Sequence, residues 1–283
     1  MAQGVFVVIG VGGMGLAIAR RLGSGYDLLL ADRDEAVLEA AATALSREGQ
    51  QVVAQPADVS VRGSVAALAE RAAALGPVLR LAHTAGLSPA RAPVQDIIDV
   101  DLLGVAYVLE EFRRVIASGG AGVVITGMAG HGLEELPYEH ENRLAELPSG
   151  ELAGSPMLAA RRFADGEHAH AFAKRAGRLR VRAASVSWGH VGARINSISP
   201  GVVSTPAGLA ELESPNGPAL KEMIDGSAVG RVGTPGDVAA AAEFLLGPAA
   251  SFITGTDLLV DGGVTAAIRT GSLDLASPLL RGR

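Results

Sequence analysis

Residues 10–15 read GVGGMG, set between the apolar run Val5 to Ile9 and an Ala/Leu/Ile-rich stretch through about Leu22. Between a strand and a helix, Gly10 permits a tight turn, Gly12 lets a pyrophosphate approach the backbone, and Gly15 lets helix and strand pack closely. The amides at the helix start, around Gly13 and Met14, are where phosphates would sit. Asp32 follows 17 residues after Gly15, closing a second apolar run. There a carboxylate can accept hydrogen bonds from an adenosine ribose diol, which favours NAD over NADP because a 2′-phosphate would meet like charge. Arg33, next to it, could turn toward such a phosphate. His168 and His170 form an HxH pair, but on a helix they point roughly 200° apart and would not converge on one ion. His131 and His140 add no spacing that would complete a site, so no metal is expected. Lys174, Arg175, Arg178, Arg180 and Arg182 read as a solvated or subunit-facing helix surface rather than an anion site.

The elements that must position these residues alternate. Apolar runs at Val5 to Ile9, Tyr26 to Ala31, Val52 to Ala54, Val78 to Ala82, Val123 to Thr126, Arg194 to Ser199 and Leu258 to Val260 lack polar alternation. Helical patterns separate them: from Asp34 to about Leu45, Ser60 to Leu75, Gln95 to Ile116, His168 to about Trp188, and Pro235 to Leu246. This order predicts a doubly wound parallel sheet of about seven strands with helices on both faces, in a single domain over 1–283. The interruption is an insertion at about 131–167, rich in Glu and Pro (Glu134, Glu135, Glu139, Glu141, Glu146 and Glu151 among them). It reads either as a surface excursion with one short helix near Glu139 to Leu147 or as a flap over a substrate. The tail after Gly263 could cover an active site or a subunit face.

Composition narrows the class. Of 283 residues, 48% are hydrophobic and 19% charged, too apolar for a disordered chain. The net charge of −6 argues against a nucleic-acid partner, and the absence of Cys excludes disulfides and thiolate chemistry. No apolar run reaches the roughly 18 residues of a membrane span, and the start MAQGVFVVIG lacks the basic segment of a signal peptide. The expectation is a soluble cytoplasmic protein. Glycine, at 37 residues, points to close approaches between elements and to a ligand.

In order along the chain stand GVGGMG, ADVS at Ala57 to Ser60, HTAG at His83 to Gly86, DVDLLG at Asp99 to Gly104, VVITGMAG at Val123 to Gly130, RINSISPG at Arg194 to Gly201, STP at Ser204 to Pro206, RVGTPGDVA and FITGTDLLVDGG. This series resembles the short-chain dehydrogenase/reductase family over roughly Val5 to Gly263. The resemblance implies a Rossmann-type fold, a nicotinamide cofactor, a small-molecule substrate and a homodimer or homotetramer, with the long apolar helices supplying the association surface. It implies that Asp58 and Val59 contact adenine and that Ala85 and Gly86 lie beside the cofactor. Pro200, Gly201 and Val203 would flank it, with Thr205 near the nicotinamide amide and Lys174 contacting it.

The same resemblance marks where the chain departs from the family's Asn, Ser, Tyr and Lys. Lys174 keeps the lysine position. One helical turn earlier His170 stands in place of the tyrosine, Gly127 in place of the serine and Asp101 in place of the asparagine. The family tyrosine exchanges a proton with the substrate oxygen, aided by the lysine. A histidine, with a reference pKa near 6.5, needs no such help. Lys174 nearby would disfavour an imidazolium, making His170 a neutral base suited to hydroxyl oxidation. Gly127 cannot steady a developing alkoxide, and loss of such a donor typically costs about 2.7 to 4 kcal/mol. Thr126 should point to the opposite face. Asp101 could hold Lys174 directly or through water. Tyr26, Tyr107 and Tyr138 offer no obvious replacement acid. Two readings follow: an NAD-dependent oxidoreductase interconverting a small hydroxy and carbonyl compound with catalytic His170, Lys174 and Asp101, or a dinucleotide-binding, non-catalytic regulatory or structural subunit, in which His170 and Lys174 would sit on an exposed helix face.

Overall fold

A computed structural model describes residues 3–132 and 136–273. Seven parallel strands form one sheet in the order β3-β2-β1-β4-β5-β6-β7. They are β1 (Val5–Ile9), β2 (Asp27–Asp32), β3 (Gln51–Pro56), β4 (Val78–His83), β5 (Ile116–Ile125), β6 (Arg194–Pro200) and β7 (Asp257–Val260). The reversal of order between β1 and β4 leaves a crevice at their carboxyl ends, where ligands of such sheets bind. The central strand β1 is apolar throughout because both its faces are covered. Val5, Val7 and Ile9 of β1 join one core with Leu29, Leu81 and Val124, while Phe6 and Val8 join the other with Leu28, Leu30 and Val123.

On the second face lie α1 (Gly13–Leu22), α2 (Glu35–Arg47) and α11 (Pro235–Leu246), which contribute Ile18, Leu38 and Val238. On the first lie α3 (Arg62–Leu75), α4 (Val94–Ile98), α5 (Val105–Arg113) and α8 (Gly166–Gly189). Asp34 starts α2 as expected, its carboxylate accepting the amides of Ala36 and Val37. Thr234 and Asp237 close a reciprocal cap on α11.

The expected helix from Gln95 to Ile116 is corrected. It is α4, then a π-helical segment Asp99–Gly104, then α5, and Ile116 already belongs to β5. The π turn adds a residue per turn and re-aims its side chains, a distortion frequent at functional sites. It carries Asp101 into the interior.

The insertion is more ordered than one short helix: α6 (Tyr138–Glu146) and α7 (Ser149–Ala153) are followed by two 3₁₀ turns, Pro156–Leu158 and Ala160–Arg162. Glu134 and Glu135 lie outside the described residues. The insertion docks on α5 and α8. Arg180 donates to the carbonyls of Leu144 and Leu147 at the end of α6, and Glu110 accepts the amide and hydroxyl of Ser149 at the start of α7. Arg175 pairs with Glu141. Of the basic run, Lys174, Arg175 and Arg180 are buried rather than solvated, Arg178 is half-buried and Arg182 is exposed, and part of the surface expected for self-association is covered by the chain's own insertion. After β6, α9 (Pro206–Leu212) and α10 (Gly217–Asp225) rise over the carboxyl edge of the sheet, and α12 (Val264–Arg269) with Leu273 packs beside Met223. The tail beyond residue 273 lies outside the described residues. Among those described, no helix is long and apolar enough to cross a membrane.

Candidate active site

The cleft begins at the turn after β1. Gly10 has φ +84°, and a methyl there would stand 2.5 Å from the Ala85 amide nitrogen. At Gly15 a methyl would stand 1.8 Å from the Gly10 carbonyl oxygen, so the close approach runs between α1 and the turn itself. Thr84 Oγ1 donates to the same carbonyl at 2.6 Å. Gly12 differs: nothing lies within 4 Å of where its Cβ would be. The backbone there faces open space at the first turn of a helix, which fits a pyrophosphate. Asp32, at the end of β2, ties the turn down, Oδ2 accepting Val11 N–H at 2.9 Å and Oδ1 accepting Asp34 N–H at 3.0 Å. Gly10, Gly12, Gly13, Met14, Gly15, Asp32, Arg33, Asp58, Val59, Ala85, Gly86 and Thr205 line one cavity of about 360 Å³.

A second cavity, of about 620 Å³, joins the first at Met14, Gly86, Leu87 and Thr205. Pro200, Gly201 and Val203 line this one. Its roof is furnished by α9 and α10, and among the described residues of the insertion Glu167 alone lines either cavity. Much of the wall is apolar, including Ile125, Met128, Val202, Leu220 and Met223.

His170 and Lys174 open into this second cavity from one face of α8, and the π segment brings Asp101 behind them. Asp101 Oδ2 lies 3.1 Å from His170 Nδ1 and 3.2 Å from Lys174 Nζ, while Oδ1 accepts Leu87 N–H at 2.8 Å. The His170 ring is at ion-pairing distance but off the line of a well-formed hydrogen bond. The Asp101 side chain is fully buried. Burial opposes its charge, but Lys174, His170 and the Leu87 amide together outweigh that cost and hold its carboxyl below the usual range. The three candidates thus converge, and an exposed helix face is not what His170 and Lys174 form. Asp101 faces imidazole and ammonium together, so Lys174 is not the only charge acting on the ring.

At Gly127 a methyl would stand 3.6 Å from Lys174 Cγ, an ordinary contact, but the backbone there has φ +158°, which strains any side chain. Thr126 is turned away, its Oγ1 held among Ile198 O, Ser199 Oγ and Asp257 Oδ1. His131 is engaged by Asp257 at 2.8 Å. Among the described residues no group of three His, Asp or Glu could hold a metal. Tyr138 is exposed on α6, while Tyr26 and Tyr107 are buried in the cores.

Three residues at this end were given no role by the sequence. His83, at the end of β4, is fully buried with both ring nitrogens unpartnered. Burial pushes its imidazole down to about 4, with Lys174 adding to the shift and Asp101 opposing it. Glu167 lines the substrate-side cavity and is bonded by Asn216 from α10. Burial pushes its carboxyl up, opposed by His170 and reinforced by Glu211 and Asp165. Helical spacing could have found Glu167, three residues before His170 on the same face. Ser88, in the loop after β4, carries no periodic signal.

Known proteins share the sequence pattern and the fold. Residues 4–139 match the family described as short chain dehydrogenase, and residues 141–265 match Enoyl-(Acyl carrier protein) reductase. The short-chain dehydrogenase/reductase bsc3 of Alternaria brassicicola is 39% identical over 267 residues, covering 94% of this chain and 97% of that protein. Galactitol 2-dehydrogenase (L-tagatose-forming) of Cereibacter sphaeroides is 32% identical over 268 residues, covering 91% and 93%. A short-chain type dehydrogenase/reductase from Mycobacterium ulcerans superposes with a TM-score of 0.75 at 23% identity, covering 100% of this chain and 92% of that one. With the glycine turn, the seven-stranded sheet and these relatives in agreement, the chain belongs to the short-chain dehydrogenase/reductase family.

Proposed function

We propose that the protein is an NAD-dependent oxidoreductase that oxidises a secondary alcohol through His170 in place of a tyrosine. The observation that carries the reading is the buried Asp101 carboxylate, 3.1 Å from His170 Nδ1 and 3.2 Å from Lys174 Nζ at the wall of the larger cavity. A dyad of this kind fixes the ring: Nδ1 toward the carboxylate leaves Nε2 toward the cavity as proton acceptor. Asp101 also steadies the imidazolium that forms, and its hold on Leu87 keeps the loop after β4 in register with the ring. Bound at the glycine turn, NAD supplies the hydride acceptor. Gly12, Met14 and the start of α1 would hold its phosphates, Asp32 its adenosine ribose, and Thr205 its nicotinamide end. The substrate carbon would lie where the two cavities meet, with its hydroxyl proton passing to His170. The converting activity of the galactitol dehydrogenase relative supports hydroxy–carbonyl chemistry on this scaffold.

The test joins calorimetry with turnover. NAD(H) is expected to bind more tightly than NADP(H), and a panel of secondary alcohols to show NAD reduction. His170→Ala should lower that rate by roughly 10²–10⁴-fold while NAD binding stays near the wild-type value. Tight NAD binding with a flat panel would favour a non-catalytic binding protein. A rate indifferent to His170→Ala would reject the proton-transfer role. Self-association belongs to the same reading: light scattering should give at least a dimer mass, and a monomer at micromolar concentration would remove it.

A further inference from the structure

We infer that Ser88 supplies the hydrogen bond to the reacting substrate oxygen that Gly127 cannot. This rests on the oxidoreductase reading above.

Alcohol oxidation leaves negative charge on the substrate oxygen as its proton departs, and a fixed donor aimed at that oxygen is a large part of the rate. Gly127 offers no side chain. Among the described residues, five that carry a hydroxyl line the larger cavity: Thr84, Ser88, Thr126, Thr205 and Ser214. Thr84 donates to Gly10 O, Thr126 is held on the far side by Ile198, Ser199 and Asp257, Thr205 accepts from Gly208 at the start of α9, and Ser214 donates to Glu211 O. Of the five, Ser88 Oγ alone has no partner, although it is buried. A buried hydroxyl without a partner is costly, and such groups in folded proteins call for an explanation.

Position supplies one. The neighbours of Ser88 are pinned against the His170 dyad. Two residues before it, a methyl on Gly86 would stand 3.1 Å from Lys174 Nζ and 3.2 Å from Asp101 Oδ1. One residue before it, Leu87 N–H donates to Asp101 Oδ1 at 2.8 Å. One residue after it, the Pro89 carbonyl oxygen lies 2.8 Å from where a methyl on Gly166 would be, one helical turn before His170. The Ser88 carbonyl accepts the amides of Arg91 and Ala92, which fixes the main chain. Only the side-chain torsion is left free. Its buried Oγ bonds to nothing, so a turn about χ1 toward the cavity breaks no hydrogen bond. With substrate in place, that turn exchanges an unpartnered hydroxyl for one donating to the substrate oxygen, from the side of the loop rather than from the end of β5. Ser88 keeps its proton throughout. The hydroxyl proton of the substrate goes to His170, and the hydride to the bound nicotinamide.

The experiment uses the full chain with NAD and a panel headed by cyclohexanol and a 3-hydroxysteroid. It compares wild type, Ser88→Ala, Ser88→Thr, His170→Ala, and Ser88→Ala combined with Gly127→Ser. Ser88→Ala should lower kcat by roughly 10²–10³-fold with little change in KM or NAD affinity. Ser88→Thr should retain most of kcat, and adding Gly127→Ser should recover part of what Ser88→Ala loses, because a side chain there meets nothing closer than 3.6 Å, less the strain of placing it at φ +158°. Thermal stability of the ligand-free Ser88→Ala variant should equal or exceed the wild type, since no bond is lost. If Ser88→Ala turns over like the wild type while His170→Ala does not, Ser88 has no such role and the His170 reading stands. If neither substitution matters, both fall, as they do if the wild type oxidises nothing on the panel. A marked drop in the melting temperature of Ser88→Ala would make the hydroxyl structural and overturn the proposal.

Discussion

At the cofactor end, from β1 through α2, the contacts that matter are made by backbone and very short side chains: the Gly10 carbonyl against Gly15, Thr84 on that carbonyl, and Asp32 on the Val11 and Asp34 amides. At the proton-transfer end, Asp101 comes from a π segment, His170 and Lys174 from α8, and Leu87 from the loop after β4. The first region tolerates little change at Gly10 and Gly15, because each meets backbone where a side chain would stand. The second is a charge balance, in which one residue can be exchanged if its neighbours compensate.

The largest break expected follows from that contrast. Asp101→Ala leaves Lys174 buried without its carboxylate, and removing one partner of a buried pair costs about 3–5 kcal/mol. Denaturant unfolding should show that loss, and alcohol oxidation should fall with it. A variant as stable as the wild type would mean that the triad is not a balanced unit. A complementary break at the other end is smaller in stability but total in binding. Gly15→Ala drives a methyl into the Gly10 carbonyl, and overpacking of this sort costs about 1–3 kcal/mol. Calorimetry should find NAD binding lost. Retained binding would show that the turn can yield, and the contrast between the two ends would weaken.

Between them sits His83, on the strand that joins both ends, paired with Ile9 on one side and Val124 on the other. Burial, aided by Lys174 and opposed by Asp101, pushes its imidazole down to about 4. The unfolded chain therefore binds a proton at this site before the folded one does. The stability that the neutral ring contributes is complete above about pH 6.5 and is lost as pH falls toward 4, by about 3 kcal/mol. Unfolding free energies across that window should slope downward toward acid, and His83→Leu should flatten the slope. An unchanged slope would assign the acid sensitivity to other groups.

The same contrast governs how much of the molecule is legible in its amino-acid sequence. The glycine turn, the capping Asp34 and the alternation of strands and helices are legible because each is a local pattern. No Pro interrupts the continuous helix expected over Gln95 to Ile116, and nothing local announces that Asp101 sits in a π turn. Arg175 and Arg180 read as surface because their partners, Glu141 and the Leu144 and Leu147 carbonyls, come from an insertion without periodicity. Ser88 is invisible for a different reason: its interest lies in a bond it does not make.

The smallest effect, and the one that most sharpens the comparison, concerns Asp32. Its carboxylate has two possible duties. It ties the glycine turn to the start of α2, since it accepts both Val11 N–H and Asp34 N–H. It also lines the cofactor cavity beside the exposed Arg33, where it would receive the ribose hydroxyls and repel a 2′-phosphate. The two duties predict different outcomes for Asp32→Ala. A turn that merely loosens weakens NAD and NADP alike, so both dissociation constants rise and their ratio holds. A lost ribose acceptor and a lost negative charge act in opposite senses: NAD weakens, while NADP gains relief from repulsion and the approach of Arg33. A ratio moved toward NADP by about tenfold, or roughly 1.4 kcal/mol, is the expected result. Calorimetry on both cofactors with both proteins decides it. A constant ratio would reduce Asp32 to a strut of the turn and place cofactor choice in some other residue of the cleft.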